Sequence, residues 1–291
     1  MFHHVIKKAD IDVAKEIDVL LKDSKNDAYG LSVIVLASAQ YVDNAHYNKA
    51  ITIFLDALCN LPDNSFKAWM LGRAILAASL MHDQITYAKC LPQLKQLLLS
   101  VETDNQSSWA WGYLAAINAD EYQSAKSSML NAVSVLSEKY LQLKQKKISA
   151  NEAHQDVLSN DSPILQQALS DLLWSYVMCV QAAARSNDHE TYNHLLAAMI
   201  SVTEQSTVRD AMVCVLESDW RAWAVGMVRL SAAVINDTDN YHQLNQLHKE
   251  ALQSARQSGS NANALLSYLC ELEAEKIVLD MKSAVNYRMT T

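Results

Sequence analysis

Glycine and proline are scarce in this chain. The 291 residues include five glycines and three prolines, where average usage of about 7% and 5% would give roughly 35 in total. Tight hairpins, sheet corners and flexible linkers rely on these two residues for their backbone angles. The shortage therefore argues against a β-sandwich, a β-barrel or a disordered protein. Apolar residues recur at intervals of three and four, which predicts an all-α fold of about a dozen helices.

Several other features are missing from the sequence. It has no run of about 18 uncharged apolar residues and no signal peptide at its start, so no membrane span is expected. The net charge of −8 argues against a nucleic-acid partner, because such partners require a clustered basic face. The five cysteines are scattered without a Cys-x-x-Cys pair, which favours reduced, buried thiols in a cytoplasmic protein.

Three of the five glycines follow a tryptophan at the same interval of three residues. Trp174 begins a related segment without the glycine. Glycine inside a helix costs about 1 kcal/mol relative to alanine, so we expect each one to allow the close approach of a neighbouring helix. The three pairs are Trp69 and Gly72, Trp109 and Gly112, and Trp223 and Gly226.

The segment 31–64 carries a second pattern of small and aromatic residues. Its members are Tyr41, Ala50, Phe54, Ala57 and Pro62. Through these residues the chain resembles the tetratricopeptide repeat family, whose unit of about 34 residues is a helix pair. The resemblance extends over residues 28–258 with irregular spacing between units. It implies a right-handed superhelix of stacked antiparallel helix pairs, with a concave face that binds peptides or partner helices.

Breaks in the helical pattern divide the chain into five parts of one helical-repeat domain, 1–291. They are an N-terminal capping helix in 1–27, a first lobe of repeats in 28–147, an irregular connector in 148–161, a second lobe in 162–258, and a C-terminal capping helix with a tail in 259–291. Caps are expected because an open stack of repeats exposes an apolar face at each end.

The expected binding surface lies on the first helix of each pair, offset from the tryptophan positions. We predict that five residues line this groove, where an arginine holds a partner's carboxylate: Arg73, Asn118, Arg185, Arg221 and Arg229. No phosphate loop, nucleophile elbow or zinc-protease motif is present. The leading hypothesis is therefore a protein- or peptide-binding scaffold without a cofactor and without catalysis. The sequence does not identify the partner or the oligomeric state.

An alternative from another class is a helical-bundle enzyme or sensor that holds a metal, haem or small ligand between helices. Glu190 and His194 are four residues apart on one helix face, and His248 lies in a second segment that contains histidine. These three residues are the candidate ligands under that alternative. A surface pair that bridges successive helical turns is the favoured explanation of Glu190 and His194.

Overall fold

The computed structural model describes residues 12–24, 27–152, 163–259 and 261–290. These ranges contain helices and no strand, so the all-α prediction is confirmed. The predicted connector overlaps the seventh helix up to Glu152, and 153–161 lies outside the described residues. In chain order the helices are α1 (Val13–Asp23), α2 (Ala28–Gln40), α3 (Asn44–Cys59), α4 (Ser65–Leu80), α5 (Gln84–Ser100), α6 (Asn105–Ala115), α7 (Ala119–Glu152), α8 (Pro163–Arg185), α9 (His189–Thr203), α10 (Val208–Val213), α11 (Ser218–Val234), α12 (Thr238–Gln257) and α13 (Asn261–Thr290).

Six of these helices form an inner layer, namely α2, α4, α6, α8, α11 and α13. Each inner helix contacts the next one, and α13 also contacts α2, so the layer closes into a ring. The outer helices α3, α5, α7, α9 and α12 each contact the inner helix that precedes them. Short turns between partners make the pairs antiparallel. All inner helices therefore begin at one end of the ring, the N-terminal face, and end at the other, the C-terminal face.

The two terminal helices were predicted to cap the ends of a stack, and in the structure they cover each other. Helix α1 contacts α13 as well as α2. Where α13 meets α2, the Tyr29 hydroxyl donates to Asn263 Oδ1 at 2.9 Å. The face that an open superhelix would leave concave is thus enclosed, and inner-helix side chains fill it.

Four turns between an inner and an outer helix share one conformation. The residue before an aspartate has a left-handed φ between 54° and 61°. The aspartate N–H donates to a carbonyl five residues earlier at 2.8 or 2.9 Å, and its carboxylate caps the outer helix. The aspartate thus pairs a free carbonyl of the inner helix and free N–H groups of the outer helix. No glycine is used, although the left-handed residue at this position is usually glycine. The left-handed residues are Val42, His82, Asn187 and Asn236.

A tyrosine four residues after a cap links successive turns. Its hydroxyl donates to the capping aspartate of the next turn, so the outer helices are tied together along the C-terminal face. These hydrogen bonds run from Tyr47 to Asp83 at 3.0 Å, from Tyr122 to Asp188 at 2.7 Å, and from Tyr192 to Asp237 at 3.0 Å.

The predicted role of the mid-helix glycines is confirmed. A Cβ atom on Gly112 would lie 2.6 Å from Met178 Cβ on α8, and one on Gly72 would lie 2.9 Å from Tyr113 Cβ on α6. Gly226 faces α12 and α13 in the same way. The missing side chain therefore lets adjacent inner helices approach closely.

We expect Gly112→Ala to destabilise the protein by about 1–2 kcal/mol. Its methyl group would force α6 and α8 apart, and this overpacking cost of about 1–3 kcal/mol exceeds the gain of about 1 kcal/mol in helix propensity. Urea unfolding followed by circular dichroism measures the change. A Gly112→Ala variant as stable as the parent would contradict the packing explanation.

Candidate functional site

The five residues predicted to line a groove do not share an open surface. Arg73 is 0% exposed and Arg229 is 2% exposed, so both lie in the core. Arg185 and Arg221 are half-buried, and Asn118 is exposed. These residues were predicted to face an open groove, but closure of the ring turns the inner helix faces into an interior.

The three more accessible members of this group make local contacts. Asn118 Oδ1 accepts the Glu121 N–H at 2.9 Å in the first turn of α7. Arg221 Nε donates to the Val215 carbonyl at 2.9 Å. Arg185 lies 3.9 Å from the Glu273 carboxylate of α13. Each of these contacts stabilises a turn or a helix junction.

An aromatic layer lies near the N-terminal face. Trp220, in the first turn of α11, is half-buried. Its ring centroid lies 5.2–6.3 Å from those of the other five members, separations typical of interacting rings. The four other tryptophans of the layer are at most 9% exposed. The layer consists of Tyr29, Trp69, Trp109, Trp174, Trp220 and Trp223.

Arg73 lies one helical turn deeper than Trp69, against this layer. Its guanidinium carbon is 4.4 Å from the Trp69 ring centroid and 5.0 Å from those of Tyr29 and Trp223. Nη1 donates to Ser32 Oγ at 2.7 Å. In the described part of the chain, Arg73 Nε and Nη2 have no hydrogen-bond partner. Aromatic faces, which attract cations, thus take the place of a carboxylate.

A second buried arginine, Arg229, belongs to a polar network near the C-terminal face. Its guanidinium lies 3.8 Å from the Glu271 carboxylate and donates to the Tyr241 hydroxyl at 3.0 Å. Nη1 is 3.4 Å from His248 Nδ1. The structure therefore brings Arg229 and His248 together. From the sequence, Arg229 was predicted to line the binding groove, and His248 was a candidate ligand under the alternative hypothesis.

His248 is held neutral by its surroundings. Ser267 Oγ donates to the Ala222 carbonyl at 2.8 Å, so His248 Nε2, 2.8 Å from that oxygen, supplies the proton between them. Nδ1 is then the acceptor for Arg229. Burial, reinforced by the Arg229 charge, lowers the pKa of His248 to about 3.

The three candidate metal ligands are not assembled. Glu190 and His194 are exposed on α9, whereas His248 is 1% exposed and has partners on both ring nitrogens. Across the residues that the structure describes, no three His, Cys, Asp or Glu side chains are grouped to hold a metal ion.

A cleft of about 650 Å³ opens at the C-terminal face, within the range of about 300–1,000 Å³ that is typical of ligand pockets. One wall is the first turn of α12. The other is the C-terminal part of α13 from Val278 onward, where the helix leaves the core. Behind the cleft, Tyr241 connects it to Arg229. The lining residues are Ala232, Ala233, Asn236, Asp237, Thr238, Tyr241, His242, Val278, Met281, Lys282 and Ala284.

Sequence reasoning missed Trp220 and the cleft. Trp220 stands three residues before Trp223, and the repeated pattern accounted only for Trp223. The cleft exists because α13 is longer than the other inner helices, and periodicity alone does not show where a helix passes the edge of a ring.

In the described ranges, no helix combines the length and the apolar character that a membrane span requires. No protein-family model matches the chain, and neither curated proteins nor solved structures show significant similarity to it. Membership of the tetratricopeptide repeat family therefore stays a prediction.

Proposed function

We propose that the chain is a protein-binding adaptor without catalysis of its own, and that it binds a partner segment in the cleft at the C-terminal face. The observation that carries this proposal is the cleft itself, because its two walls are helices and its floor is apolar. Val278, Met281 and the alanines supply contact area, and methionine adapts well to varied partners. A groove of this kind suits an amphipathic helix or a short apolar peptide.

The charge of the chain favours a basic partner. The net charge is −8, Asp237 offsets Lys282 within the lining, and the exposed carboxylates of Asp239 and Asp280 lie close in sequence to the lining residues on each wall. A second copy of the chain carries the same charge, so self-association through the cleft is opposed by repulsion. We therefore assign the cleft to an apolar segment with flanking lysine or arginine residues.

We expect Met281→Glu to weaken such binding by at least about tenfold, because it places a charge in the apolar cleft, where burial is costly. Peptides selected by phage display against the full chain supply the probes, and titration calorimetry supplies their affinities. Leu279→Glu is the matched control, since Leu279 is 51% exposed on the same helix but does not line the cleft.

The Leu279→Glu control distinguishes binding in the cleft from non-specific hydrophobic binding. Loss of binding in the Met281 variant with retention in the Leu279 variant supports the proposal. Equal affinities in both variants, or selected peptides without apolar residues, would overturn it. Sedimentation velocity tests whether a second copy of the chain occupies the cleft. A concentration-dependent dimer that is lost in Met281→Glu would assign the cleft to that second copy instead.

A further inference from the structure

The two buried arginines of the ring differ in one respect. Arg229 has the Glu271 carboxylate at 3.8 Å, whereas no carboxylate of a described residue lies within 4.0 Å of Arg73. Arginine remains charged at any ordinary pH, and a buried charge without a counter-charge is costly. Among the described residues, Arg73 is therefore stabilised by aromatic faces and has no carboxylate in direct contact.

Other buried donors without an acceptor belong to the aromatic layer or lie beside it. Besides Nε and Nη2 of Arg73, the indole N–H groups of Trp109 and Trp174 and the hydroxyl of Tyr113 have no partner among the described residues. The Tyr113 hydroxyl lies beside the Arg73 guanidinium, where burial raises its pKa while the Arg73 charge and a loose hydrogen-bonding contact with Arg73 lower it. Buried polar groups in native proteins are almost always satisfied. A cluster made mainly of donors indicates that an acceptor binds here.

Trp220 packs against the rings that surround Arg73. Its ring contacts Tyr29, Trp69 and Trp223, the same three rings that lie against the Arg73 guanidinium. Trp220 lies in the first turn of α11 and, like Tyr29 in the first turn of α2, is partly exposed. A flat group in its position would be held by the same aromatic faces.

The start of α11 is less secured than the starts of α2, α4 and α6, the other helix starts near this layer whose caps the structure describes. Its N-cap, Glu217, has a φ of 59° and makes no side-chain cap hydrogen bond, whereas Asp27, Asn64 and Asp104 cap α2, α4 and α6 with their side chains. A left-handed non-glycine residue costs about 1–3 kcal/mol. The start of α11 is therefore displaced at a lower cost in capping energy than the starts of α2, α4 and α6, although Trp220 contacts the five other rings of the layer.

We propose that the aromatic layer is a binding site for a small organic anion, a flat apolar carboxylate that displaces the Trp220 indole and pairs with Arg73. The ligand's apolar body takes the place of the indole among Tyr29, Trp69 and Trp223. Its carboxylate accepts hydrogen bonds from Arg73 Nε and Nη2, which form the bidentate pair that this geometry favours. The site is distinct from the cleft, which lies at the opposite face of the ring.

Benzoate and its neutral analogue benzamide test the charge requirement. We expect benzoate to change the tryptophan fluorescence of the full chain in a saturable way, and benzamide to bind at least about tenfold more weakly, because it leaves the guanidinium without its counter-charge. Equal binding of the two compounds would overturn the proposal. Inorganic phosphate that binds as tightly as benzoate would also overturn it, since the apolar body would then contribute nothing.

Two variants test the residues. Arg73→Met replaces the charge with an apolar chain of similar length and is expected to lose benzoate binding by at least about tenfold. Arg221→Met is the matched control, because Arg221 adjoins Trp220 but its Nε already holds the Val215 carbonyl. Retained binding in Arg73→Met, or equal loss in both variants, would overturn the assignment.

Trp220→Ala keeps the proposal testable if Arg73→Met does not fold. Removing the indole abolishes the cost of displacing it, so benzoate affinity is expected to rise by about tenfold, an effect of about 1.4 kcal/mol. Failure of this variant to bind benzoate at about 10 mM, where even a millimolar site is filled, would overturn the proposal.

Discussion

Trp69→Ala is expected to lower the free energy of unfolding by about 4 kcal/mol, in the middle of the range for large aromatic residues. Trp69 is 5% exposed, and its ring interacts with Trp109 at 4.8 Å and with Phe66 at 6.0 Å. The substitution leaves a cavity and also removes the nearest aromatic face from Arg73. Urea unfolding monitored by circular dichroism measures the loss.

Trp111→Ala is the matched control for this prediction. Trp111 is on α6, two residues from Trp109, but it is half-buried and packs at the margin of the core. Its truncation is expected to cost less than half as much, because a partly exposed site leaves little cavity. Similar losses in the two variants would mean that the aromatic layer has no special role in stability.

Asp188→Ala is expected to lower the free energy of unfolding by about 3 kcal/mol. The carboxylate caps α9 through the Thr191 N–H at 3.0 Å and accepts hydrogen bonds from Tyr122 and Lys126, each at 2.7 Å. A helix cap contributes about 1 kcal/mol, the bond from Tyr122 about 1.5 kcal/mol, and the ion pair with Lys126, which is 35% exposed, only about 0.5 kcal/mol because solvent screens it. Loss of the shared acceptor releases α7 from α9.

The stabilisation from Asp188 depends on pH. Partial burial raises its pKa, but the hydrogen bonds from Lys126, Thr191 and Tyr122 outweigh burial and hold the pKa well below its ordinary value. The folded state therefore binds this proton less readily than the unfolded state does. The contribution is complete above the unfolded pKa of about 3.9 and is lost as the pH falls below it. The stability difference between parent and Asp188→Ala should narrow accordingly in acid.

Asp43→Ala tests whether the hydrogen bond from a tyrosine hydroxyl to the capping aspartate contributes to stability. Asp43 caps α3 in the same type of turn, and its carboxylate is hydrogen-bonded to His46 at 2.5 Å, but within the described ranges it accepts no tyrosine hydroxyl. We expect a loss of only about 1–2 kcal/mol, that of a cap and a local contact. A loss as large as that in Asp188→Ala would show that capping alone explains both.

The sequence predicted the local structure well because its signals are local. Short polar clusters at Asp43, Asp83 and Asp188 mark turns between helices, and each aspartate caps the helix that follows. Gly112 implied close helix packing, since a glycine inside a helix needs a reason. The sequence also shows a tyrosine four residues after each of several capping residues. Which aspartate this tyrosine bonds to depends on which turns become neighbours in the fold, and the sequence does not show that.

The burial of the two arginines was not predictable from the same pattern. In a helical sequence Arg73 and Arg229 resemble solvated groove residues, and only the contact between α13 and α2 encloses them. That contact depends on residues such as Tyr29 and Asn263, which are 234 positions apart. Amphipathic periodicity specifies which face of a helix is apolar, but it does not specify whether a series of such helices remains open or closes.

Closure of the ring has a consequence for how the chain folds during its synthesis. In an open array each repeat is stabilised as soon as its neighbour has emerged, so folding advances from the first repeat onward. Here α2 lacks one of its two inner neighbours until α13, which begins at Asn261, leaves the ribosome. Interactions over such sequence separations form slowly because the loop they close is long. Until then the apolar flank of α2 is exposed to chaperones, and the last helix sets the time at which the ring becomes a cooperative unit.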